Sequence, residues 1–441
     1  MENENSSLVQ RFKRYGHISL SGASLFPTFL LKTMGVNIDS QHHAEQITAI
    51  LGNLKGPLMK IAQILGTVPE ILPEEYAEKL RQLQSEAPSM GWPFVKRRMT
   101  SELGPLWETH FQYFEKQARF AASLGQVHYA RDQRGRPLAL KLQYPNMKGV
   151  IEADLAQFKV IFSLYSRFSK GLETGEIYEE IKEHLLEELN YKKEAFHMHI
   201  FRKSLKDFKD VRIPDVIPEL STTRLLALSW EEGKPLLEFK DASQNLKNKL
   251  AKNLFEAWYV PFYHDGFLHG DPHPGNYRGQ DDGTIILFDF GCVRRFHPNF
   301  IQGVLDLYRA LLINDEELMI FAYERWGFKN LQKPVIEALT LWARFLYGPL
   351  LQDRVMSLQE ASSPQAGKEI AGIVHKALRE AGGVAPPREF VFMDRAAVGL
   401  GSLFMRLSAQ LNWHQMFEQI IAGFDVQHVE NKQIKNLEIK I

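Results

Sequence analysis

The sequence has a single cysteine, Cys292, so no disulfide can close within the chain. That usage fits a reducing interior compartment. There is no excess of either charge: Lys plus Arg and Asp plus Glu both number 53. The balance removes the electrostatic argument for a nucleic-acid partner. Met1 to Gln10 is polar and acidic, with no basic region, so no secretory leader is expected. No run reaches the ~20 predominantly apolar residues that a spanning helix needs. The most apolar amino-terminal window, His17 to Val36, is interrupted by Ser, Gly, Thr, Pro27 and Lys32. It reads as a packing segment or as a peripheral membrane contact, and both readings stay open. The expected location is cytoplasmic, with peripheral membrane association as the variant. The 441 residues, 44% hydrophobic and 24% charged, suit a globular chain with two or three core-forming units.

The most informative stretch is 269–291. It reads His269-Gly270-Asp271-Pro272-His273-Pro274-Gly275-Asn276 and later Phe288-Asp289-Phe290-Gly291. Asp271 precedes Asn276 by five positions, the spacing at which a kinase catalytic loop places its base and a metal-binding amide. Asp289, in a DFG triplet, supplies a second kind of metal ligand. Between them, Asp282-Gly283 signals a hairpin turn and Thr284 to Phe288 is a β-rich run. The hairpin brings the loop and the triplet together. The combination points to a phosphotransferase-type C-lobe holding nucleotide phosphates through metal ions.

Ahead of this lies a helical extension. Ile47, Ile50, Leu51, Leu54, Leu58, Ile61, Ile64 and Leu65 recur at helical steps, with Gly56-Pro57 as an interruption. Gly56, Lys60, Gln63 and Thr67 form a second stripe, which is either a solvated face or a functional edge. Pro73-Glu74-Glu75 opens another helix, with acidic residues where the macrodipole favours them. Gly91-Trp92-Pro93 precedes a third, ending near Leu103-Gly104.

The character then changes. Ala121, Ala122, Ser123, Gly125 and Gln126 form a turn of small residues between two short strands. Leu138 to Leu142 is a third strand, with its leucines on one face and Ala139 and Lys141 on the other. Lys141 either faces water or holds α- and β-phosphates, as a kinase strand lysine does. The small-residue turn lacks the Gly-x-Gly-x-x-Gly of typical kinases. Alanine restricts φ and adds a methyl group, so the loop is stiffer. Tyr178 to His199 is read as one long helical region bearing Glu183, Glu187, Glu188, Asn190 and Glu194. One glutamate there would orient the lysine. Leu225 to Leu228 runs into Ser229-Trp230-Glu231-Glu232-Gly233, a form suited to a hinge against adenine.

Leu246 to His264 is an amphipathic helix leading to the opening stretch. After Gly291 the sequence turns helical to its end. It has no Ala-Pro-Glu motif and no long segment after the DFG triplet, because a helix over Phe300 to Leu312 follows almost at once. A peptide-docking platform is therefore not expected, which favours a small-molecule or lipid acceptor, or none.

These motifs together resemble the UbiB-type atypical kinases, also called AarF-domain or ADCK-like kinases. The resemblance covers the chain from about Leu54 to beyond Arg295. The family's Lys-x-Gly-Gln motif is matched by Lys60-Ile61-Ala62-Gln63, and its alanine-rich loop by Ala121 to His128. Its strand lysine is matched by Lys141 and its Glu-x-Asp element by Glu188-Leu189-Asn190, which selects Glu188 as the lysine's partner. The resemblance implies a bilobal, protein kinase-like α+β fold. Residues 1–115 would form the helical extension, 116–232 a small β-rich N-lobe and 233–441 a largely helical C-lobe. It also implies that the first and last of these motifs, through Lys60, Gln63 and the Asn190 position, restrain protein-kinase activity. Two departures bear on that restraint. Ala62 replaces the motif's glycine, and Asn190 replaces its aspartate and removes a charge. Phe120 also stands where the alanine run usually begins.

The expected activity is ATP or ADP binding with Mg²⁺ at Asn276 and Asp289. Lys141 and Glu188 would act on the phosphates, and Asp271 would position or deprotonate an acceptor. Ala121, Ala122, Ser123, Gly125, Gln126 and Glu231 complete the expected nucleotide contacts. The resemblance implies a role in isoprenoid-quinone (ubiquinone) biosynthesis or lipid handling. The expected partners are a nucleotide, a quinone precursor or lipid, a peripheral membrane surface and a second copy of the chain, with no nucleic acid. Two alternatives remain: a nucleotide-switched scaffold without phosphotransfer, and a small-molecule kinase of the aminoglycoside or choline type. The Lys60–Gln63 helix and the Ala121–Gln126 loop count against the latter.

Overall fold

In a computed structural model, residues 90–122, 124–152, 155, 182–183, 185–329, 331–361, 364–380 and 387–438 are described. Lys60, Ala62, Gln63 and Ser123, and the helices expected before residue 90, lie outside the described residues. The chain divides into two compact units. One comprises the residues up to Tyr191 with Ile217–Ser229, and the other Lys192–Val216 with Trp230 onward.

The first unit opens with α1 (Trp92–Leu103), which has a proline in its first turn and ends at Gly104 with φ 86°. Proline is tolerated there because that N–H has no intrahelical partner. Strands β1 (Phe111–Phe114), β2 (Phe120–Ala122), β3 (Gly125–Asp132) and β4 (Pro137–Gln143) follow. After β5 (Val211–Arg212), which belongs to the other unit, β6 (Leu225–Ser229) completes an antiparallel sheet. Its order is β1-β3-β4-β6, with β2 beside β3. Leu138, Leu140 and Leu142 are buried and Lys141 is half-buried on the opposite face, as alternation requires.

Two expectations are corrected here. The sheet begins earlier than expected, at β1, so Lys141 stands on the fourth strand in chain order and not the third. The helix read across Tyr178–His199 is broken at Glu188–Asn190. The amides of Leu189 and Asn190 turn back to the carbonyls of Leu186 and Glu187, and the Tyr191 amide donates to Thr223. With those donors taken, the i→i−4 ladder stops. Helix α2 (Tyr191–Ser204) starts afresh.

Buried polar contacts fix α1 to the end of the lysine strand. Arg98 donates through Nε to Gln143 O (3.1 Å) and through Nη2 to Tyr144 O (3.2 Å). Its Nη1 pairs with Glu102 at 3.3 Å, and Glu102 also meets Arg224 at 2.9 Å. A charge this buried stays only when its donors are satisfied.

In the second unit the long helix α3 (Gln244–Asp265) is the central support. Ser243 Oγ caps its start by accepting from Leu246 N, and Gly266, with φ 76°, ends it. Leu250, Leu254, Trp258 and Phe262 form its buried face. β7 (Lys234–Pro235), β9 (Tyr277–Gly279) and β10 (Ile285–Leu287) join β5 in a four-stranded sheet. β8 (Phe267–His269) pairs with β11 (Val293–Arg295). The expected hairpin turn is present: β9 and β10 pair antiparallel, and Gly283 has φ 87°. Then come α4 (Pro298–Ile313), α5 (Glu316–Trp326), α6 (Lys333–Tyr347), α7 (Pro364–Glu380), α8 (Arg388–Leu407), α9 (Trp413–Ile421) and α10 (Val426–Leu437). The chain thus has the expected kinase-like α+β fold, with a β-rich first unit and a helical second unit. Among the described residues, no helix is long and apolar enough to cross a membrane.

Candidate functional site

The loop leaving β8 and the loop leaving β10 are held together by one imidazole. Asp271 N–H donates to His269 Nδ1 at 3.3 Å, and His269 Nε2 meets the Asp289 carbonyl. A backbone N–H only donates and a carbonyl only accepts, so Nε2 carries the proton. The ring is therefore neutral, and burial lowers its pKa in agreement. Gly270 N also donates to Cys292 O at 2.6 Å, extending the β8–β11 pairing into the loop.

Each candidate side chain is shaped by its own loop. Asp271 Oδ1 accepts from His273 N at 3.2 Å, and Asp289 Oδ1 accepts from Gly291 N at 2.9 Å. Asn276 Nδ2 donates to the Asp271 carbonyl at 3.3 Å, which makes Oδ1 the other arm of that amide. Phe288 N donates to Asn276 O at 3.1 Å, so the residue just before the DFG triplet is tied to the same loop. Asp271, Asn276 and Asp289 thus come together, as the hairpin argument predicts.

An amide oxygen and a carboxylate are hard donors that suit Mg²⁺. Among the described residues, no group of three or more His, Cys, Asp or Glu converges as a metal cage. Two protein oxygens with the remaining positions left to phosphate and water is the usual way Mg²⁺ is held. The residues present therefore fit that ion.

Helix α8 packs directly on the catalytic-type loop. A Cβ built on Gly270 would stand 2.0 Å from Phe392 Cζ, and one on Gly399 would stand 2.2 Å from Pro272 Cγ. The sequence reading missed this role for α8, because the two glycines reveal it only as contacts.

In the first unit the lysine strand and the glutamate turn are joined. Gln143 lies two positions beyond Lys141 on β4, and its Nε2 donates to Leu189 O at 2.9 Å. Leu189 is the neighbour of Glu188. The Lys141 ammonium stands 5.2 Å from the ring centroid of Tyr191. Ala121 and Ala122 lie on β2 and Gly125 and Gln126 on β3. Gly125 admits no side chain, since a Cβ would meet Leu142 O at 2.3 Å. Gln126 is fully buried, and its amide spans the Met90 backbone, accepting from N at 2.6 Å and donating to O at 3.3 Å. Asn190 is exposed. In the second unit, Glu231 lies 3.8 Å from Arg212. The next two carbonyls, of Glu232 and Gly233, accept from Gln280 Nε2 (2.7 Å) and Arg278 Nη1 (2.9 Å).

Residues 82–323 match the ABC1 atypical kinase-like domain. The chain belongs to this family. The UbiB-type resemblance read from its motifs is therefore correct. An uncharacterized protein of Synechocystis, slr0889, is 31% identical over 309 residues, which is 66% of this chain and 75% of that protein. The atypical kinase COQ8, mitochondrial, of Saccharomyces cerevisiae is 27% identical over 387 residues, covering 87% of this chain and 77% of that protein. The chain matches only 37% of the length of ACTIVITY OF BC1 COMPLEX KINASE 8, chloroplastic, of Arabidopsis thaliana, at 30% identity over 62% of this chain. Among solved structures, the Rv3197–erythromycin complex from Mycobacterium tuberculosis superposes with a TM-score of 0.62 at 25% identity. That match covers 86% of this chain and 96% of the other.

Proposed function

We propose that this ABC1-family protein binds ATP or ADP with Mg²⁺ and acts as an atypical kinase or ATPase on a small molecule or lipid. The observation that carries the proposal is the tying of the Asp271 and Asp289 backbones to one ring, His269, with the Asn276 amide bonded to the Asp271 carbonyl. Asn276 Oδ1 and Asp289 would hold Mg²⁺, which neutralises charge on the transferring phosphoryl group. Lys141 takes the α- and β-phosphates, and Glu188 orients it. Asp271 positions the acceptor oxygen and receives its proton. Backbone around Ala121 to Gly125 and the Glu231 segment take the remaining nucleotide contacts. Gln126 contributes through its backbone, because its amide is engaged with Met90.

The packing of α8 against Gly270 and Pro272, through Phe392 and Gly399, supports a small acceptor, since a helix occupies that side of the loop. Support of isoprenoid-quinone biosynthesis, with peripheral membrane contact, belongs to the same proposal and rests on family membership. The residues ahead of β1 carry the added extension, and Lys60 and Gln63, with Asn190, restrain protein-kinase activity.

The test is phosphate release by wild type and Asp289→Asn in liposomes. Wild-type release above background, lost in the variant, is expected. Equal background rates with retained nucleotide binding would establish a nucleotide-switched scaffold instead. Quinone intermediates accumulating in a deletion strain would support the pathway assignment, and an unchanged profile would remove it.

A further inference from the structure

Tyr277 directly follows Asn276 and opens β9, and the roles assigned above leave it unused. Its side chain is only 1% exposed. Its hydroxyl lies 3.0 Å from the Asp271 main-chain carbonyl and 3.1 Å from Trp258 Nε1. An indole N–H only donates and a carbonyl only accepts. The single hydroxyl proton therefore points at Asp271 O, and the oxygen accepts from Trp258. Trp258 is itself buried within α3. The main chain of Tyr277 is fixed by its pairing with Leu287.

Asn276 Nδ2 donates to the same Asp271 carbonyl at 3.3 Å. One carbonyl thus carries two donors from adjacent residues, and the hydroxyl is the shorter contact. The two donors differ in what else they do. The hydroxyl is backed by a buried indole on the long helix. The amide is also the candidate metal ligand, so a bound cation constrains how it can turn.

We infer that Tyr277, backed by Trp258, is a positioning residue that holds the Asp271 loop while the Asn276 amide engages a divalent cation. The inference rests on the Mg²⁺–nucleotide reading of Asn276 and Asp289. Without the hydroxyl, loop and cation would depend on the same amide. Losing one neutral hydrogen bond of this kind corresponds to roughly a threefold to tenfold effect.

The experiment titrates MgCl₂ into the full chain with a fluorescent ATP analogue, for wild type, Tyr277→Phe and Trp258→Phe, and measures phosphate release alongside. In Tyr277→Phe the half-saturating Mg²⁺ is expected to rise about fivefold and turnover to fall by a similar factor. Nucleotide affinity at saturating Mg²⁺ should stay within twofold. Trp258→Phe should move the midpoint the same way by less, and it gives the answer if Tyr277→Phe does not fold. A purely structural role would lower the melting temperature and leave the Mg²⁺ midpoint in place. A midpoint within twofold of wild type overturns the inference and leaves the Mg²⁺ reading intact. If wild type binds nucleotide without turnover, the midpoint alone decides. If wild type binds no Mg²⁺–nucleotide, the underlying reading fails and the inference with it.

Discussion

His269 is bonded at both ring nitrogens, accepting from the Asp271 amide at 3.3 Å and donating to the Asp289 carbonyl. The backbones of Asp271 and Asp289 are thereby fixed by the same ring. Phe201, Trp258 and Phe290 surround that ring, so it cannot turn without disturbing buried aromatics.

Replacing His269 by Phe keeps the bulk and removes both bonds. Each buried polar group left without its partner costs about 1–3 kcal/mol. We expect urea unfolding to show a loss of roughly 2–5 kcal/mol, with phosphate release at background. A folded variant of wild-type stability would show that the ring does not join the two loops.

Gly270→Ala tests the packing of α8 on the loop. The new methyl would meet Phe392 Cζ at 2.0 Å and Cys292 O at 2.8 Å. Overpacking of this kind costs about 1–3 kcal/mol. Adding Phe392→Leu should return part of the stability, and urea midpoints of the single and double variants would show it. Full additivity of the two changes would mean that the ring is not the obstacle.

Lys141→Met separates phosphate binding from folding. The residue is half-buried, and the contact of its ammonium with the Tyr191 ring is worth about 0.5–1 kcal/mol. The melting temperature, measured alongside, separates a loss of stability from a loss of nucleotide binding. Nucleotide affinity should fall roughly tenfold or more, the scale of lost hydrogen bonds to charged groups. Unchanged affinity by fluorescent-nucleotide titration would place the phosphates elsewhere.

Asp394 gives a pH prediction. Burial pushes its carboxyl up to about 7, against the pull of the Trp342 indole N–H, which donates to Oδ1 at 2.5 Å. The unfolded chain has the ordinary carboxylate value, so the folded state binds the extra proton between those two values. That contribution is fully present below pH 4, declines as pH rises and is gone above about pH 7. The stability of wild type minus that of Asp394→Asn should therefore fall between pH 5 and pH 7.5. A difference that stays flat across those urea midpoints would contradict the shift.

Much of this was legible in the sequence, because local chemistry fixed it. Asp282-Gly283 set the hairpin that joins Asn276 to Asp289, and Leu138, Leu140 and Leu142 set the orientation of Lys141. Long-range events were not legible. Periodicity carried a helix through Glu188, but the Tyr191 amide was taken by Thr223, which is remote in sequence. Four residues were too few to reveal β1. Trp258 was readable as an apolar position of α3, but its polar edge needed Tyr277 beside it to acquire a role. A buried aromatic with a polar tip immediately after Asn276 was the available signal, since such tips seek partners. Gln126 looked like a phosphate-loop residue, and only its fully buried amide on Met90 shows a structural task.

The proposed Mg²⁺-dependent nucleotide site is built on Asp289 and Asn276. Its most direct test is a calorimetric titration of ATP into wild type and Asp289→Ala, with MgCl₂ and with EDTA. Mg²⁺ should tighten wild-type binding roughly tenfold or more and leave Asp289→Ala unchanged. Identical wild-type affinity with and without Mg²⁺ would contradict it.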